Sequence, residues 1–68
     1  MQVKVRNHPV EVRDLSATGI GLTKATHAWS ADSIVTLVLE FSAQVTLTVY
    51  ARVMWIHGHD VGLRFESI

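Results

Sequence analysis

An aspartate, a serine and a glycine stand at positions 14, 16 and 19, in the stretch Asp14-Leu15-Ser16-Ala17-Thr18-Gly19, which interrupts two runs of strand-like sequence. An Asp side chain accepts hydrogen bonds from backbone N–H groups two residues on, and a serine hydroxyl does so more weakly. Glycine admits a positive φ or the close approach of another backbone or a ligand. One reading is therefore a turn capped by Asp14 and Ser16 and closed at Gly19. A second reading turns the same atoms toward a ligand. An ionised carboxylate only accepts hydrogen bonds, which suits the N1–H and N2–H₂ donors on a guanine edge. The serine supports a base or a phosphate, the glycine lets a flat base approach the backbone, and nearby arginine would fork onto guanine or phosphate. On these six residues alone both readings stay open.

Other chemistry finds less support. A nucleophilic triad needs an activated hydroxyl or thiol beside a base held by a third group. Here the hydroxyls are mostly strand threonines, and His8, His27, His57 and His59 fall in turns and loops, so no catalytic residue is assigned. His57-Gly58-His59-Asp60 could offer two imidazoles to zinc, but a solvated turn accounts for it better and no metal site is assigned. A single-strand nucleic-acid platform needs exposed aromatics among basic residues. Only Tyr50, beside Arg52, meets that description, because alternation places Phe41, Trp55 and Phe65 on apolar faces.

The chain has 68 residues, a formal net charge of zero and no cysteine. Zero net charge argues against a broad grip on duplex DNA. The charge is uneven: residues 1–24 carry Lys4, Arg6, Arg13 and Lys24 against Glu11 and Asp14, whereas residues 25–68 are net acidic. No apolar run approaches the ~20 residues that span a bilayer, so no membrane insertion is expected. The absence of disulfides is compatible with the cytoplasm, the expected location.

Strand signals must position these residues. Val3 and Val5 alternate with polar neighbours, as do Val10 and Val12, and Asn7-His8-Pro9 reads as the turn between them. Ile20-Gly21-Leu22-Thr23 is a third strand. Residues 24–33 read as a connection with one loose helical turn, in which Trp29 folds back over the sheet. Residues 34–41 form a strand with Val35, Leu37, Leu39 and Phe41 on one face, and Ser42-Ala43 turns. The next strand alternates for about twelve residues, with Val45, Leu47, Val49, Ala51, Val53 and Trp55 on one face. That exceeds the usual 5–6 and implies a curved strand. After the turn at 57–60, Val61, Leu63 and Phe65 close the pattern. Six short antiparallel strands in so small a chain predict a closed all-β barrel, since closure removes edges.

Three stretches resemble one family. Asp14-x-Ser16-x-x-Gly19 followed by Ile20-Gly21-Leu22 looks like the D/N-x-S-x-x-G motif of PilZ domains. Arg52-Val53-Met54-Trp55 is similar to that family's R-V-V-W strand, and Val61-Gly62-Leu63-Arg64-Phe65 to its closing V-G-V-R-F. The resemblance implies a six-stranded antiparallel barrel over residues 1–68, a single domain trimmed or divergent at its N-terminus. It implies a non-enzymatic bacterial receptor for cyclic di-GMP, with Asp14, Ser16 and Gly19 contacting a guanine, no resident cofactor, and a neighbouring domain or protein partner to receive the signal. The family's R-x-x-x-R clamp is missing: Arg6 is followed four residues later by Val10, and Arg13 by Ala17. Some members of the family lack the arginines, do not bind the nucleotide and act through protein contacts, which is the alternative function.

Overall fold

The computed structural model describes residues 2–24 and 29–66. Six strands occur in chain order: β1 (Gln2–Val5), β2 (His8–Leu15), β3 (Gly19–Thr23), β4 (Ile34–Ser42), β5 (Val45–His57) and β6 (Asp60–Glu66). They close into a barrel in the order β1-β2-β3-β6-β5-β4, every neighbouring pair antiparallel. The expected barrel is the observed one.

Alternation selects the interior. Val3, Val5, Ile20, Leu22, Leu37, Leu39, Ala51, Val53, Val61 and Leu63 are buried, and no polar side chain is buried among the described residues. Val10, Val12, Val35, Val49, Phe65 and Trp29 pack half-buried against them. Trp29 does fold back onto the barrel, from the connection between the end of β3 and the start of β4. The helical turn expected in that connection, together with His27, falls on residues 25–28, which lie outside the described residues.

The first turn differs from expectation. Val5 pairs with His8, so the loop is Arg6-Asn7, both with positive φ (50° and 68°). Two such residues make the type I′ turn whose twist matches a hairpin. His8 and Pro9 therefore belong to β2. Pro9 is tolerated there because it faces Lys4 in a non-hydrogen-bonded pair, its missing N–H turned away from β1. On that side β3 pairs only from Glu11 onward.

Three register shifts re-aim side chains. Extra residues enter at Arg13 in β2, Phe41 in β4 and Met54 in β5. Each inserted residue reverses the alternation beyond it. Phe41 is thus exposed instead of continuing the Val35-Leu37-Leu39 face, and Trp55 is exposed instead of following Val53 inward. Val45 and Leu47 keep the inward face, but they lie at the open end of the barrel, where β5 is paired with β4, and they too are exposed.

A charged cluster ties the 29–33 connection to the wall. Arg52 Nε donates to Glu66 Oε1 at 2.6 Å, and its Nη1 donates to the Asp32 carbonyl at 3.0 Å. The Arg52 guanidinium, through that hydrogen bond, holds Glu66 below its ordinary value of 4.5, with desolvation opposing it. A lowered folded value means that the stabilisation is complete above the ordinary range and lost as pH falls through the folded value. Thermal melts of wild type and Glu66→Gln should therefore differ at neutral pH and converge on acidification below about 4.5; a constant gap would remove the ion pair from the account. Leu37 is fully buried, so Leu37→Ala should cost about 2–5 kcal/mol in urea denaturation, much of what a domain this small possesses.

Candidate functional site

A single row of residues crosses four strands. Asp14 of β2 pairs with Gly21 of β3, Gly21 pairs with Gly62 of β6, and Gly62 pairs with Trp55 of β5. The Arg13 and Met54 insertions place Asp14 and Trp55 on the outer surface. Were the alternation unbroken, both would point into the core with Val12 and Val53. The two glycines form a bare floor between them. A methyl group on Gly21 would sit 2.6 Å from Asp14 Oδ1, and one on Gly62 would collide with the Trp55 indole. The carboxylate thus lies over one glycine and the indole over the next.

These residues line one open cleft, with Ser16, Thr18, Gly19, Met54 and Arg64 completing its walls. The three residues expected from sequence, Asp14, Ser16 and Gly19, are therefore brought together. Their roles separate. Ser16 Oγ accepts from the N–H of Thr18 (3.3 Å) and of Gly19 (3.2 Å), and Ser16 N–H donates to the Gly19 carbonyl at 3.0 Å. Ser16 is the cap of this turn. Asp14 caps nothing: its carboxylate has no hydrogen bond or ion pair among the described residues, and it is exposed. Gly19 does not use the positive φ open to glycine. Its requirement is proximity, because a side chain there would strike the Leu63 carbonyl of β6.

Arg64 neighbours Gly19 across the β3–β6 ladder and stands 55% exposed, with Nη2 only 3.5 Å from Glu66 Oε1. Glu66 is already held more closely by Arg52, so Arg64 keeps donors for another group. Arg13 instead reaches Asp60 at 3.5 Å, whose other oxygen accepts from Thr23 Oγ1 at 2.6 Å. The cleft therefore offers an acceptor-only edge, a large aromatic face and one guanidinium. That combination fits a planar heterocycle with N–H donors and an attached anion. Among the described residues no group of three metal-ligating side chains occurs.

Trp55 and Arg64 were missed as site residues by sequence reasoning. Alternation puts Trp55 on the apolar face with Val53, and the Met54 insertion reverses it. The available signal was Gly62, a glycine inside a strand, which marks close approach by a neighbour. The turn chemistry yields a direct comparison. Ser16→Ala should lower stability by about 0.5–1.5 kcal/mol through loss of the cap. Asp14→Ala should change it by less than about 0.5 kcal/mol. Paired urea titrations read both; equal losses would make Asp14 a structural residue.

Comparison with known proteins agrees with this geometry. No curated protein and no solved structure matches the chain. The family model described as "PilZ domain" matches residues 1–68, the whole length. With the barrel, the Asp14–Gly19 turn and the closing strand all in their places, the chain belongs to the PilZ domain family.

Proposed function

We propose that this chain is a non-enzymatic receptor module for cyclic di-GMP, the ligand bound by the PilZ family. The observation that carries the reading is the exposed Asp14 carboxylate, left without a protein partner beside the Trp55 indole. A carboxylate accepts from guanine N1–H and N2–H₂ together, and adenine has no such pair of donors on that edge. The base plane lies against Trp55, in a contact worth about 1–3 kcal/mol for aromatic–base stacking. Ser16 holds the turn that presents Asp14, and Gly19 keeps it against β6. Arg64 supplies the guanidinium for a phosphate or for guanine O6/N7. Such a module would work in the cytoplasm and hand its signal to a neighbouring domain or partner.

No R-x-x-x-R occurs within the 68 residues. Two missing charge-assisted forks, at about 1.5–3 kcal/mol each, correspond to roughly two to four orders of magnitude in affinity. Weak, guanine-directed binding is therefore the expectation for these 68 residues by themselves. The alternative reading is a barrel that binds no nucleotide and acts through protein contacts. It draws on the exposed apolar residues Leu15, Phe41 and Leu47 at the open end of the barrel.

An NMR titration with cyclic di-GMP decides between them. Amide shifts should centre on residues 14–21 and Gly62, with a shift of the Trp55 indole N–H, and cyclic di-AMP should leave these signals in place. Asp14→Ala should abolish the response while the barrel stays folded. A silent spectrum from the folded wild type would favour the protein-contact reading, and undiminished binding by Asp14→Ala would overturn the role given to Asp14.

A further inference from the structure

Two arginines stand directly opposite each other on the outer face of the barrel, because Arg52 of β5 and Arg64 of β6 are register partners. Like charges so placed repel. Glu66 lies two residues beyond Arg64 and therefore on the same face. Its Oε1 accepts from both guanidiniums, but the two bonds are unequal. Arg52 Nε donates at 2.6 Å, and Arg64 Nη2 at 3.5 Å, the outer limit of a hydrogen bond. Arg52 is also fixed from its other side. Its Nη1 donates to the Asp32 carbonyl at 3.0 Å and to the Asp32 carboxylate at 3.3 Å. Among the described residues, Arg64 makes no other ion pair than the long one to Glu66.

One carboxylate is thus within reach of two cations, and only one of those cations belongs to the cleft. Arg64 lines it with Asp14 and Trp55, whereas Arg52 and Glu66 stand outside it. A carboxylate that pairs with Arg64 competes with any anion brought to that guanidinium. A carboxylate whose near oxygen is already taken at 2.6 Å competes far less. How open Arg64 is to a ligand therefore depends on how firmly Arg52 holds Glu66. The Asp32 contacts matter to this, since they hold the Arg52 guanidinium where its Nε meets Glu66.

We propose that Glu66 is an internal competitor for Arg64, and that Arg52, by holding Glu66, is the positioning residue that leaves Arg64 open to the anion of a ligand in the cleft. For its ligand this rests on the reading of the cleft as a cyclic di-GMP site; for its physics it rests on the β5–β6 register alone. Two residues outside the cleft then act on binding in opposite directions. Removing Arg52 turns Glu66 onto Arg64, and removing Glu66 releases Arg64 completely.

The test compares the full chain with Arg52→Gln, Glu66→Gln and the double variant, circular dichroism checking that each is folded. In NMR titrations with cyclic di-GMP, Arg52→Gln should weaken binding and Glu66→Gln should tighten it, each by about two- to fivefold, the size of a half-exposed ion pair. The double variant should match Glu66→Gln, because Arg52 acts only through that carboxylate. A general charge effect would be additive and return the double variant to wild type, which would overturn the proposal. So would equal weakening by both single variants, the mark of a merely structural network. Arg52→Lys keeps a cation at Glu66 and should bind nearly as wild type does, which covers the case that glutamine loosens residues 29–33. A second measurement needs no ligand. Followed through an acid titration, the Glu66 carboxyl should stay below its ordinary 4.5 in Arg52→Gln, since Arg64 takes over, and return to it when Arg64→Gln is added. A return in Arg52→Gln alone would overturn the proposal whatever the ligand. If Glu66 titrates as expected and no form responds to cyclic di-GMP, the nucleotide reading of the cleft fails and the competition for Glu66 stands.

Discussion

Two glycines facing each other across β3 and β6 set the conditions for the rest of the outer surface. Gly21 and Gly62 are both buried, yet they point away from the core, since what covers them is Asp14 on one side and Trp55 on the other. A side chain at either position would displace the group above it. The insertions at Arg13 and Met54 complete the arrangement. They reverse the alternation at the two outer strands of the row, so the polar group and the indole come to the surface instead of the interior. An Asp carried into this barrel would be an unpaired carboxylate among Leu22, Val53 and Leu63, where no polar side chain is buried. Bulges also bend and coil strands, which a six-stranded closure demands. Closing the barrel and opening the cleft therefore draw on the same irregularities.

Within the cleft, structure and ligand chemistry divide between neighbouring residues. Ser16 satisfies the backbone of its own turn, and the Gly19 carbonyl returns a bond to Ser16. These contacts make the loop a rigid mount. Asp14 stands just before the mount, in the strand, and makes none of them. A carboxylate without an internal partner keeps its acceptor sites open to an external donor. The Asp14–Gly19 turn is thus capped by Ser16, while the Asp14 carboxylate stays outside that cap.

The barrel was legible because period-two alternation is a property of each strand by itself. Val3, Val5, Ile20, Leu22, Leu37, Leu39, Val61 and Leu63 all lie where alternation puts them. The insertions were not legible. An extra residue is defined by the partner strand that lacks it, and neither Arg13 nor Met54 carries a local mark of that role. For that reason the face of Trp55 came out reversed, while Val53, two residues earlier, did not. The Arg6-Asn7 turn was hidden for a different reason. Pro9 reads as a turn former, and its place in β2 depends on which side of the strand lacks a hydrogen-bonding neighbour. As for the candidate site, Asp14, Ser16 and Gly19 lie within one short stretch and could be found as a motif. Trp55 and Arg64 join them only through the β5–β6–β3 register, which no single stretch encodes.

β5 connects the features that this register creates. Past Met54 it carries Trp55 to the cleft, and before Tyr50 it carries Leu47 and Val49 to an apolar hollow that Leu15, Leu39 and Phe65 also line. That hollow and the cleft share one lining residue, Ser16. The turn that mounts Asp14 is therefore also a wall of the open end, with Leu15 turned into the apolar hollow one residue after Asp14 turns to the cleft. A ligand shifts such an arrangement only by binding one position of the turn better than another. Any movement of residue 14 along the strand would carry Leu15 with it, which joins the wall of the cleft to the wall of the hollow.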